Sequence, residues 1–170
     1  MNLYTDSATA ECMVRALKTI LTDAGKIEGL KEKIILDGNC GTGSITEFLR
    51  VEFPDSRVIA VDCDRAILTP APGVVCANLK RLPFQNDTLG MVFTALLYDY
   101  TLPNCAGTFQ LNRVPYTTDL FSAVNEIRRC LMPGGMYVPF RDQPLRDYVR
   151  SEAEYKRTWR AVGNYIFEKA

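Results

Sequence analysis

The sequence contains no histidine. That absence excludes a histidine general base, a Ser-His-Asp triad and the usual imidazole-bearing transition-metal sites. It also lacks a C-x-x-C pair. Its cysteines, Cys12, Cys40, Cys63, Cys76, Cys105 and Cys130, are scattered, and four sit in or beside apolar runs. Such spacing points to reduced structural thiols rather than disulfides or metal ligands. The longest apolar run, around Met91–Tyr98, is too short to span a bilayer. No charge of one sign prevails: 20 basic and 20 acidic residues cancel, so no nucleic-acid or membrane partner is expected. There is no basic leader with an apolar segment behind it, and the chain reads as soluble and cytoplasmic. Repeats and linkers are absent too, so residues 1–170 are expected to form a single domain that buries about 70% of its unfolded surface.

What is present is an alternation of apolar runs and helical stripes. Residues 7–23 carry Met13, Val14, Leu17, Ile20 and Leu21 on one helical face, with Ser7 as N-cap and Gly25 as the stop. Lys33–Asp37 reads as a short buried strand. Ser44-Ile45-Thr46-Glu47 has capping-box spacing, and Ile45, Phe48, Leu49 and Phe53 make the apolar stripe of the helix behind it. Arg57–Val61 is a second strand that ends at Asp62, and Asp64–Leu68 a short helix closed by Pro70 and Pro72. Val74–Cys76 and Met91–Leu97 are further strands, the latter apolar throughout as a central parallel strand should be. Residues 101–117 form a long connection without periodicity, the form a functional lid takes in a compact domain. Leu120, Val124, Ile127 and Leu131 mark a helix ending at Pro133-Gly134-Gly135, before a strand at Met136–Phe140. Residues 144–160 read as a charged helix, in which acids interleaved with the arginines indicate a solvated face, and Asn164–Glu168 as a possible edge strand. The expected fold is therefore α/β: a doubly wound, mostly parallel, Rossmann-like sheet of about six strands flanked by helices, with a shortened C-terminal end.

The segment Ile34-Ile35-Leu36-Asp37-Gly38-Asn39-Cys40-Gly41-Thr42-Gly43 carries the most chemical information. An apolar strand meets an acid, then a glycine-rich turn, then a helix. Glycine lets a backbone approach a ligand closely, and a helix N-terminus offers unpaired N–H groups. A phosphate would suit such a turn, but Asp37 would repel a pyrophosphate, and G-x-G-x-x-G is not there. A nucleoside with a cationic tail fits better. Asp62 closes the next strand, well placed for two ribose hydroxyls. Asn78-Leu79-Lys80-Arg81-Leu82-Pro83-Phe84 and Leu131-Met132-Pro133-Gly134-Gly135 follow at later strand boundaries.

In this order and spacing the markers resemble the class I S-adenosylmethionine-dependent methyltransferases, especially the small-molecule type with L-P-F and P-G-G segments. The resemblance covers roughly residues 33–140. It implies that Asp37, Asn39, Cys40, Gly41, Thr42 and Gly43 hold the methionine part of S-adenosylmethionine. It further implies that Asp62 binds the ribose, that Cys63 lies against the adenine, and that Asn78 and Leu79 meet the adenine edge. S-adenosylhomocysteine would be the product. Three positions depart from the family pattern: Asn39 replaces a turn glycine, Asn78 an acid, and Gly90 an aspartate. Asparagine tolerates positive φ, and its amide carbonyl still accepts a hydrogen bond.

The implied layout is an N-terminal helical segment, 1–32, a cofactor-binding core, 33–140, and a C-terminal helix with a possible edge strand, 141–170. The implied activity is methyl transfer to a small-molecule acceptor, with Tyr98, Asp99 and Tyr100 facing it and no catalytic residue assigned. Because a sulfonium methyl is already activated, proximity and alignment supply most of such catalysis. A non-catalytic methyltransferase-like module or partner subunit is the alternative. The acceptor and the oligomeric state are not legible in the residues.

Overall fold

A computed structural model describes residues 7–66, 68, 71–95, 118–140, 159–162 and 166–170. Its elements are α1 (Ser7–Asp23), β1 (Ile34–Gly38), α2 (Ser44–Glu52), β2 (Arg57–Asp62), β3 (Val74–Cys76), β4 (Leu89–Ala95), α3 (Thr118–Cys130), β5 (Leu131–Phe140), β6 (Trp159–Val162) and β7 (Ile166–Lys169). A single turn of 3-10 helix, Glu28–Leu30, precedes β1. The sheet order is β3-β2-β1-β4-β5-β7-β6. Strands β1 to β5 pair in parallel, and β7 runs antiparallel to both β5 and β6.

Strand alternation explains why the parallel strands look apolar at every position. Ile35, Val58, Met91, Phe93 and Val138 face a layer that includes Met13, Val14 and Leu17 of α1 and Ile45 and Leu49 of α2. Leu36, Ile59, Val61, Val92 and Tyr137 face the opposite layer, where α3 supplies Val124, Ile127 and Cys130. With both faces covered, no polar alternation is left to see. The order reverses between β1 and β4, which is where open α/β sheets leave a crevice at their carboxyl ends.

Helix α1 occupies the predicted residues, with Ser7 as its first helical residue. It closes with Gly25 at φ 65°, Gly25 N–H on Thr22 O and Lys26 N–H on Leu21 O, the paired bonds of a Schellman stop. The doubly wound sheet is as expected, but it holds seven strands rather than about six. The extra one is β6, where the charged stretch read as a helix over 144–160 gives way to a strand at Trp159. Only Trp159 of that short edge strand is buried, so its period-2 signal is too weak to distinguish it from a solvated helix. This edge thus ends in two short antiparallel strands, β7 and β6. Helix α3 stops at Cys130, and Pro133-Gly134-Gly135 forms an irregularity inside β5 rather than the helix end. At Asp64–Leu68 the described residues show a turn, with Ala66 N–H on Asp64 Oδ1, instead of a short helix.

Gly90 sits where the registers of β4 shift against both neighbours, and a Cβ there would lie 2.6 Å from Lys33 Cβ. Packing alone therefore demands glycine at this departure from the family pattern. Cys40 and Cys130 are buried, whereas Cys12, Cys63 and Cys76 are exposed, so fewer of the thiols serve as core than their apolar contexts suggest. No described helix is long and apolar enough to cross a membrane.

Candidate functional site

The turn after β1 is built from left-handed residues: Asn39 (φ 66°), Gly41 (φ 55°) and Gly43 (φ 90°). Asparagine enters this region at lower cost than most side chains, so the turn keeps its form without the family's first glycine. Gly43 is the N-cap of α2 and makes no side-chain cap bond, so the predicted capping box does not form. Thr46 turns inward instead and donates from Oγ1 to Asp37 Oδ2 at 2.5 Å.

Hydrogen bonds lash the predicted residues into one cluster at the carboxyl ends of β1, β2 and β3. Cys40 N–H donates to Val61 O at 3.0 Å, and Gly41 N–H to Asp62 Oδ2 at 2.9 Å. Asp64 N–H takes Asp62 Oδ1 at 2.9 Å, and Ala77 N–H takes the Asp62 carbonyl at 2.9 Å. Asn78 and Leu79 are thereby brought beside β2. A Cβ on Gly38 would come within 2.9 Å of Leu79 Cδ2 and 3.1 Å of Thr94 Cγ2, so a larger residue there would push these side chains aside at the floor of the site. Cys63 and Thr42 are exposed at its rim.

The electrostatics are unusual. Asp37 is 1% exposed and Asp62 5%, and neither has a salt-bridge partner among the described residues. Burial, opposed by the Thr46 hydrogen bond and reinforced by the Asp62 charge, pushes the Asp37 carboxyl up to about 7. Burial and then the two carboxylates push the Cys40 thiol up to about 12, and the Cys63 thiol is raised by burial and by Asp62. Both thiols stay protonated near neutral pH, which removes them as nucleophiles. Asp62 keeps acceptor capacity on both oxygens beyond the backbone bonds it receives. Asn78 Oδ1 accepts from Lys80 N–H at 2.9 Å, so it braces its own turn, and its amide protons lie on an exposed residue.

Two contributors were not legible as site residues. Thr46 is one. Glu126 of α3 is the other: it accepts Leu82 N–H at 2.8 Å, while Arg129 donates to the Leu82 carbonyl at 3.3 Å. Together they pin the Leu82-Pro83-Phe84 segment onto α3, so its role is anchoring. Tyr98, Asp99, Tyr100 and the loop 101–117 lie outside the described residues.

The methyltransferase domain family matches residues 36–138, more than half of the chain and all of the cluster above. This chain belongs to that family. Among curated relatives, the malonyl-[acyl-carrier protein] O-methyltransferase of Herminiimonas arsenicoxydans is 30% identical over 76 residues, covering 42% of this chain and 29% of that protein. The enzyme of the same name from Halorhodospira halophila is 27% identical over 141 residues, covering 76% of this chain and 40% of its own. The chain thus spans less than half the length of these relatives. Among solved structures, an S-adenosylmethionine-dependent methyltransferase from Clostridium acetobutylicum superposes with TM-score 0.51 at 19% identity, over 72% of this chain and 48% of that one. That likeness is one of fold.

Proposed function

We propose that this methyltransferase domain binds S-adenosylmethionine at the carboxyl ends of β1 to β3 and transfers its methyl group to a small-molecule acceptor. The observation that carries the reading is the pair of buried carboxylates, Asp37 and Asp62, held by hydrogen bonds yet without a cation among the described residues. Such an arrangement is costly in the absence of a ligand and rejects phosphates. A nucleoside bearing a sulfonium and an ammonium matches it in charge, and the ribose hydroxyls match the acceptors of Asp62. When bound, S-adenosylmethionine supplies a methyl group already activated for in-line displacement. The residues of the chain then have to bind, align and exclude water.

In this reading Asp37, Asn39, Cys40, Gly41, Thr42 and Gly43 hold the methionine end, Asp62 the ribose, and Cys63, Asn78 and Leu79 the adenine. The acceptor would enter beyond β4, where Tyr98, Asp99 and Tyr100 follow in the chain. Residues 33–140 form the cofactor core, and the protein works in the cytoplasm. The curated relatives act on malonyl-[acyl-carrier protein], so acids carried as thioesters belong in an acceptor screen beside free metabolites.

Titration calorimetry with S-adenosylmethionine and S-adenosylhomocysteine tests the proposal. Binding of both is expected, and Asp62→Ala should weaken it by ~1–3 kcal/mol, the scale for losing charged hydrogen bonds. Absence of binding to either ligand by the wild-type chain would overturn the reading. Binding without methyl transfer to any acceptor class would favour a non-catalytic module.

A further inference from the structure

The Asp37–Thr46 contact joins α2 to β1 through a buried carboxylate. A buried carboxylate that merely filled space would be replaced at lower cost by an apolar residue, because its register partners on the neighbouring strands are Ala60 of β2 and Phe93 of β4. Thr46 is itself 2% exposed, and its hydroxyl is committed to one carboxylate oxygen of Asp37. The other oxygen, Oδ1, receives no hydrogen bond from the described residues. We propose that Thr46 is a positioning residue for cofactor binding: its hydroxyl holds Asp37 Oδ2, presents the remaining charge to the cationic ligand, and so lets ligand binding drive a proton off the Asp37 carboxyl. This rests on the cofactor reading above.

The groups around Asp37 set the direction. From β2, Asp62 disfavours a second negative charge nearby. From α2, Thr46 favours the charged form by hydrogen bonding, and Arg50, exposed further along the helix, adds a weak attraction. The Cys40 thiol in the turn stays neutral. β4 presents Phe93 and α1 presents Met13, Val14 and Leu17 to the same layer, so neither offers a compensating charge. The carboxyl accordingly titrates near neutrality in the free protein. A cation arriving at the site favours the ionised form, and the proton leaves to solvent.

Linkage then fixes the sign. Affinity for the ligand rises with pH, by up to about tenfold per pH unit while the proton is still bound, and levels off once Asp37 is ionised in the free protein. Without the Thr46 hydroxyl the charged form loses its one donor among the described residues, so the profile moves to higher pH by roughly one unit.

The test is calorimetric titration of the whole chain with S-adenosylhomocysteine between pH 5.5 and 8. Each titration is run in two buffers of different ionisation enthalpy, so that released protons are counted. The wild-type chain is expected to release up to one proton per ligand below neutrality. Thr46→Val should displace the profile upward, Thr46→Ser should restore it, and Asp37→Asn should abolish proton release. A wild-type profile that is flat with no proton released overturns the inference while leaving cofactor binding intact. A Thr46→Val profile with an unchanged midpoint overturns it as well. Should Thr46→Val not fold, Thr46→Ala takes its place with the same expected and overturning outcomes, beside the wild-type and Asp37→Asn proton counts. No binding at any pH overturns the function and this inference together.

Discussion

At the carboxyl ends of β1 and β2 two aspartates are buried with no cation paired to them among the described residues, whereas at the amino ends of β4 and β5 the charges come in tight pairs. There Arg129 donates to both oxygens of Glu126 at 2.8 Å and to Asn86 Oδ1 at 2.8 Å, and Lys169 reaches Asp87 at 2.6 Å and the Leu131 carbonyl at 2.6 Å. The Arg129 hydrogen bonds hold the Glu126 carboxyl below the usual carboxylate range, while burial holds Asp37 well above it. Carboxylates near the two ends of one sheet, Asp37 on β1 and Glu126 on α3, are thus shifted in opposite directions. The amino-terminal end uses charge to fix the chain. Among the described residues the carboxyl-terminal end leaves charge uncompensated, a cost in the free protein that the proposed cationic ligand would offset.

Asp37→Asn should break this contrast most strongly. It removes the buried charge while keeping the size of the side chain and an acceptor for Thr46. Asp37 has a folded value raised from 3.8 to about 7, so its contribution favours folding below pH ~4 and is lost as pH rises toward 7. At pH 8 the variant should therefore be more stable than wild type, with a ceiling of about 4 kcal/mol at roughly 1.4 kcal/mol per unit. The advantage should fade toward pH 4. Cofactor affinity should fall by ~2–3 kcal/mol at the same pH. Denaturant unfolding at pH 5 and 8, beside calorimetry, would show both effects; a less stable variant at pH 8 would mean that Asp37 has a hidden partner.

Glu126→Ala sharpens the contrast from the other side. It strands the Leu82 N–H and leaves Arg129 only its bonds to Asn86 and the Leu82 carbonyl, and should cost ~1–3 kcal/mol of stability. Affinity for S-adenosylhomocysteine should not change, because the bond from Ala77 N–H to the Asp62 carbonyl and the Asn78 turn hold the site end of that segment separately. A large loss of affinity at full folding would show that the two ends are coupled. Lys169→Met should have the smallest effect, below ~1 kcal/mol, because Asp87 is 54% exposed and the pair is screened by salt. A midpoint in denaturant that drops by more would place the Lys169 bond to Leu131 among the main ties of β7.

Local features of the chain carried much of this. The acid, the turn and the helix that follows are contiguous, so their chemistry can be read in order, and asparagine at position 39 is one of the few residues suited to the φ of 66° found there. The α1 stripe and the Gly25 stop are equally local. Thr46 is not legible as a site residue in the sequence, where it sits inside capping-box spacing, and only the packing of α2 on β1 brings its hydroxyl to Asp37. The Glu126 bond spans 44 residues, beyond the reach of any periodicity. Strand β6 is not legible either, because its identity depends on pairing with β7, not on its own residues.

By itself the sequence determines the backbone events: where apolar runs become strands, where positive φ is affordable, and which acids stand at strand ends. Those follow from sterics and periodicity within a few residues. Only the tertiary structure decides what the acids are worth. Burial and the placing of Asp62, Thr46 and Arg129 set which carboxylate keeps its proton and which is locked in a pair, since desolvation and Coulomb forces depend on neighbours in space rather than in sequence.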